Sequence, residues 1–72
     1  MNFIHRPNTN LEICGEYRIE TTMGTKAWHN AYHDPSKLHA KQTGICVGGD
    51  FDKAKVVQAC ADHSERMKRE AA

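Results

Sequence analysis

Histidine and cysteine side chains are the groups of this chain that could ligate a metal. Five histidines and three cysteines are spread over its 72 residues. Structural zinc sites take their ligands from close pairs, and the near pairs here are His29 with His33 and Cys60 with His63. On a strand, His29 and His33 would lie roughly 13 Å apart, too far to share one ion. We therefore expect no metal and no other cofactor.

Cys60, Asp62 and His63 have the residue types of a nucleophile, an orienting acid and a base. Their positions argue against that chemistry, because Cys60 falls on the apolar stripe of a predicted helix, where a buried thiol is inert. We predict no catalytic residues and a protein that is not an enzyme. The cysteines are expected to be reduced, since none has the close pairing of a secreted disulfide framework.

Acidic side chains alternate with apolar ones over residues 11–22, which is typical of a half-buried strand. One set of side chains is expected to face the core, namely Leu11, Ile13, Gly15, Tyr17 and Ile19. The other set is expected to face solvent, namely Glu12, Cys14, Glu16, Arg18 and Glu20. Gly15 predicts a bulge or a close backbone approach in the middle of this strand.

The element that must cover this strand is a C-terminal helix, predicted over residues 51–69. Gly48 and Gly49 are expected to end the preceding strand, and Asp50 or Asp52 is expected to cap the first helical turn. An apolar stripe then recurs at three- and four-residue spacing, formed by Val56, Val57, Cys60, Ala61, Ser64 and Met67.

The segment 26–33 can form either a strand or a helix, and a helix would make His29 and His33 neighbours. We favour the strand, because aromatic residues suit a pleated surface. Trp28 and Tyr32 then share one face and the histidines share the other. We expect the two aromatics to be core residues beneath the helix, with a role as binding anchors as the alternative. Two shorter strands are predicted over residues 2–5 and 43–47.

These elements predict a single domain of the α+β class, with a three- or four-stranded antiparallel sheet packed by one long C-terminal helix. The chain is 39% hydrophobic and 26% charged, as in a folded globular protein. It has no apolar run of about 18 residues, and its start, MNFIHRPNT, is too polar for a signal peptide. We expect a cytoplasmic protein complete from its initiator methionine.

The outer face of the predicted sheet is the candidate binding surface. Its mixed charges suit recognition of a partner protein, and a net charge of +1 lacks the basic excess of most nucleic-acid-binding domains. Self-association through an exposed strand edge stays open. The predicted partner-binding residues are Glu12, Glu16, Arg18, Glu20, Lys26, His29 and His33.

Residues 17–69 resemble the sheet-plus-helix domains of the AP2 group and of the amino termini of phage tyrosine-recombinase integrases. The matching residues are Trp28, Ala31, Gly49, Phe51, Asp52, Ala54, Ala59 and Ala61. This resemblance implies that the sheet lies in the DNA major groove, with contacts from Arg18, Lys26, His29 and His33. Because the strand carries three glutamates that would repel phosphate, nucleic-acid binding ranks second.

The small size and the order of strands, glycine turn and helix also resemble small phage and prophage accessory proteins, including anti-CRISPR and other anti-defence inhibitors. This resemblance implies stoichiometric binding to a host protein or ribonucleoprotein complex in the host cytosol. Acidic strand residues would then stand in for phosphates. We rank such a non-enzymatic inhibitor first.

Overall fold

A computed structural model describes residues 1–71 of the chain. These residues form one antiparallel sheet, whose five strands lie in chain order, and one C-terminal helix. The elements are β1 (Ile4–His5), β2 (Leu11–Cys14), β3 (Tyr17–Thr22), β4 (Trp28–His33), β5 (Ile45–Asp50) and α1 (Lys53–Ala71). The predicted α+β class is confirmed, with more strands in the sheet than predicted. Residues 28–33 form the favoured strand.

The strand predicted over residues 11–22 is instead two strands, β2 and β3, joined by a two-residue turn. Gly15 occupies the first turn position with a φ of 58°, a conformation that glycine adopts without steric cost. Cys14 pairs with Tyr17 across the turn, so the chain reverses there. The prediction of one continuous strand with a single alternation was therefore wrong. Residues that pair across β2 and β3 share a face, so the turn determines which side chains of the two strands lie side by side.

The sheet has one face that α1 packs against, the covered face, and one that it leaves uncovered, the open face. The covered face carries Glu12, Cys14, Tyr17, Ile19, Thr21, His29, Ala31 and His33. The open face carries Ile4, Leu11, Ile13, Arg18, Glu20, Trp28, Asn30, Tyr32, Cys46 and Gly49. The apolar core joins Tyr17, Ile19 and Ala31 to Val56 and Cys60 of the helix.

Small residues decide which face the helix covers. Ala31 is fully buried, and a Cβ added at Gly48 would lie 2.9 Å from the Cβ of Ala59 in α1. The helix therefore approaches the backbone where the sheet offers almost no side chain. Trp28 and Tyr32, expected beneath the helix, lie on the open face because their rings would hold α1 away from the sheet.

Asp52 caps α1. Its Oδ1 accepts a hydrogen bond of 3.0 Å from the amide of Ala54, which decides between Asp52 and Asp50 as the N-cap. Gly48 and Gly49 do not end the preceding strand as predicted. β5 runs through both, because its ladder with β4 continues to Asp50. Within residues 1–71, no helix has the length and apolar character needed to cross a membrane.

The connection between β4 and β5, residues 34–44, is organised by Asp34, which is only 2% exposed. Its carboxylate accepts hydrogen bonds from the amide and hydroxyl of Ser36, the amide of His39 and the hydroxyl of Thr43. The hydrogen bonds from Ser36 and Thr43 hold the pKa of Asp34 well below its usual range, because they favour the ionised carboxylate.

Replacing Asp34 with asparagine should lower the melting temperature by on the order of 10 °C. One acceptor oxygen becomes an NH2 group that faces donors it cannot satisfy. Circular dichroism melts at neutral pH would measure the change. Asp62→Asn, on the exposed side of α1, is the control and should stay within about 2 °C of the parent. Equal melting temperatures for Asp34→Asn and the parent would contradict this role of Asp34.

Candidate functional site

Arg18 and Glu20 are the two predicted partner-binding residues on the open face. Arg18 is only 1% exposed. Its Nε donates to Oε2 of Glu20 at 3.0 Å, and its Nη2 donates to the carbonyl of Thr43 at 2.9 Å. The guanidinium also lies over the ring of Tyr32, 4.6 Å from its centroid. The charge of Arg18 is therefore used inside the protein.

The other predicted partner-binding residues lie outside the open face. Glu12 lies on the covered face and forms an ion pair with Lys53. On the same face, His29 Nδ1 lies 2.8 Å from Oγ1 of Thr21. Lys26 is exposed in the connection between β3 and β4. The predicted shared outer surface was wrong, because the helix covers the face on which the histidines lie.

The open face carries several apolar side chains where a water-facing antiparallel sheet normally has polar residues. Ile4 pairs with Ile13, which pairs with Arg18 and through it with Tyr32, so one row crosses four strands. Leu11 occupies the next row, and Ile4 is 74% exposed. Exposed apolar side chains on an uncovered sheet face are a feature of protein interaction sites.

Trp28 stands at the far end of the open face and is held by three neighbours. Its Nε1 donates to Oδ1 of Asn30 at 2.8 Å, and its ring meets Phe51 edge to face with centroids 4.7 Å apart. It also lies against Gly49, where an added Cβ would be 3.0 Å from Cζ2 of the indole. Trp28 remains 36% exposed. An exposed aromatic ring already fixed in place loses little entropy on binding, as a binding anchor requires.

This aromatic cluster was missed because Trp28 was assigned to the core. A signal was present in the alternation of β4, since Asn30 shares the face of Trp28 and Tyr32, whereas Ala31 lies on the other. A polar amide between two aromatic rings indicates a solvent-accessible face, and alanine at the opposite position indicates close packing. Nothing in the local sequence indicated that Phe51 would reach Trp28.

A cluster of titratable side chains lies at the other end of the sheet, on the covered face. The hydroxyl oxygen of Tyr17 is 2.9 Å from Nδ1 of His63, and Nε2 of His33 is 2.8 Å from Oε1 of Glu16. The two imidazole centroids are 4.8 Å apart. Burial, and then the neighbouring His33, lower the pKa of His63, while burial raises the pKa of Tyr17. Both groups are therefore held neutral.

The described residues near this cluster give little support for cysteine or metal chemistry. Burial raises the pKa of Cys60 to about 11, so its side chain is a thiol and a poor nucleophile. Cys14 and Cys46 are also free, and Cys46 is exposed. Among residues 1–71, no three histidine, cysteine or acidic side chains are grouped to hold a metal ion.

Comparisons with models of protein families, with curated proteins and with solved structures find no match. The geometry of the described residues is therefore the basis for inferring a function. It offers a fixed, exposed aromatic cluster on the open face and a neutral histidine–tyrosine pair on the covered face.

The free energy of unfolding should fall as the pH drops below about 6.5, because unfolded His63 takes up a proton before the folded form does. Above that pH its contribution is fully present. The groups that face it are Tyr17 of β3, His33 of β4, and Arg66 and Glu70 of its own helix.

Urea unfolding at about pH 7.5 and about pH 5.5 would measure this dependence. His63→Gln should make the difference between the two pH values smaller, whereas His5→Gln, at an exposed position, should leave it unchanged. An unchanged difference in His63→Gln would show that other groups cause the pH dependence.

Proposed function

We propose that this chain is a non-enzymatic binding protein that docks its open face on a partner protein. The observation that carries the proposal is Trp28, exposed yet fixed by Asn30, Phe51 and Gly49. The helix covers one face of the sheet, so the apolar side chains of the open face have no helix packed over them. A partner protein would provide a covering layer, with the indole as its anchor.

A protein is favoured over nucleic acid because the open face lacks the charge that phosphates need. Its arginine, Arg18, is buried and paired with Glu20. Lys26 is an exposed cation at the end of this face, and one such contact adds little affinity. The rings of Trp28 and Phe51 fit the enrichment of aromatic residues at protein–protein interfaces.

The proposed mode of action is steric occupancy. The fixed aromatic cluster needs no reorganisation on binding, which favours tight stoichiometric association. The chain also resembles small phage and prophage inhibitors. On that basis, the proposed partner is a host protein or ribonucleoprotein complex in the cytosol, such as a defence complex. Binding would then block the surface that this complex uses for its own ligand.

Trp28→Ala should weaken binding by about 30-fold or more, the loss typical of a central aromatic anchor. A tagged pull-down from nuclease-treated host lysate would identify the partner, and calorimetry with the purified partner would measure both affinity and stoichiometry. Met67→Ala, 44% exposed on α1 on the helix side of the sheet, is the control and should change affinity less than about twofold.

Equal affinities of Trp28→Ala and the parent would overturn the assignment of the open face. Capture that disappears with nuclease would instead favour nucleic-acid binding. A salt dependence of binding to duplex DNA would then be expected, because phosphate contacts release counterions.

Gly49→Ala should displace the indole without removing it, because the new methyl group would lie 2.6 Å from Oδ1 of Asn30 and 3.0 Å from the ring. Trp28 is the only tryptophan, so its fluorescence reports the change directly. We expect red-shifted emission, stronger acrylamide quenching and weaker partner binding.

Gly24→Ala is the control, since its added methyl group would lie 3.7 Å from its nearest neighbour. It should leave the emission unchanged. Unaltered emission in Gly49→Ala would contradict a ring held against the β5 backbone.

A further inference from the structure

A cavity of about 530 Å³ lies between the C-terminal half of α1 and the turn that joins β2 to β3. It opens on the helix side of the sheet, away from Trp28. Tyr17 and His33 line it together with an apolar wall formed by Met1, Cys14, Met67 and Ala71. Its volume is within the range of small-molecule binding sites, and methionine side chains adapt their shape to apolar groups.

Glu16, which carries a carboxylate, and Lys68, which carries an ammonium group, line the same cavity. Glu16 contacts His33 through Oε1 only, and its side chain remains 45% exposed, so Oε2 is accessible to a ligand. Among residues 1–71, no acidic side chain lies within ion-pair distance of Lys68. The cavity therefore combines a charge of each sign with an apolar wall.

We propose that this cavity binds a free apolar α-amino acid of the leucine or methionine class. The ammonium group of the ligand would contact Glu16, its carboxylate would contact Lys68, and its side chain would pack against Met1 and Met67. A ligand with a single charge would leave one of the two protein charges without a partner. The site is separate from the open face and does not depend on the proposed function.

Calorimetry and amide-resolved NMR with the full 72-residue chain would test the proposal, using leucine, leucinamide and N-acetylleucine as probes. Leucine should bind about tenfold more tightly than either analogue, since each analogue lacks one charge-assisted contact. Chemical-shift changes should centre on Gly15, Ser64 and Lys68. Absence of saturable binding, equal binding of the three probes, or shifts elsewhere would overturn the proposal.

Variants of the two charged residues separate the two contacts. Lys68→Gln should abolish the preference for leucine over leucinamide and keep the preference over N-acetylleucine, and Glu16→Gln should do the reverse. Lys55→Gln, exposed on the same helix, should change neither preference. Trp28→Ala should also leave leucine binding intact, which distinguishes failure here from failure of the open-face proposal.

Because Glu16 contacts His33, thermal melts must accompany the Glu16→Gln data. If the Glu16→Gln variant unfolds, the binding data of Lys68→Gln alone test the proposed site. A Lys68→Gln variant that still prefers leucine over leucinamide would overturn the proposed ligand orientation and with it the amino-acid site.

Discussion

The structure depends on the burial of one arginine beside one aspartate. Arg18 and Asp34 are 1% and 2% exposed, and burying such charges is costly unless they are paired and hydrogen-bonded. Nη1 of Arg18 lies 3.9 Å from Oδ2 of Asp34 but has no hydrogen-bond partner among the described residues. The remaining contacts come from Glu20 and the carbonyl of Thr43. Burial of Arg18 is therefore tolerated only when residues 34–44 fold onto the open face.

This requirement determines which part of the open face stays free. The folded connection reaches the β2–β3 turn, where Nε2 of His39 lies 2.9 Å from the carbonyl oxygen of Gly15. That end of the open face is closed by polar contacts. Trp28 lies at the opposite end of β4, beyond the reach of this connection, and so its indole remains available to a partner. A polar network at one end thus leaves the exposed ring of Trp28 at the other.

Local patterns were sufficient to predict the α+β class, the C-terminal helix and the strand nature of residues 28–33. They were insufficient for the faces, which depend on contacts between residues distant in sequence. Arg18 alternates with apolar residues, which is the pattern of a solvent-exposed side chain. It is buried because the fold brings Asp34, distant in sequence, beside its guanidinium. The helix-covered face was likewise decided by Gly48 meeting Ala59, a contact between elements. Trp28 was favoured as a core residue beneath the helix, but it lies on the open face because α1 packs on the other side of the sheet.

Two adjacent glycines in β5 connect the two faces of the sheet. Gly48 lets α1 approach on the covered face, and Gly49 lets the indole of Trp28 lie against the backbone on the open face. Phe51 follows them directly and packs on Trp28 just before α1 begins. The position of the indole and the docking of the helix therefore share one short stretch of backbone. A partner that held Trp28 in place would also hold the start of α1, so binding on the open face would stabilise the core on the covered face.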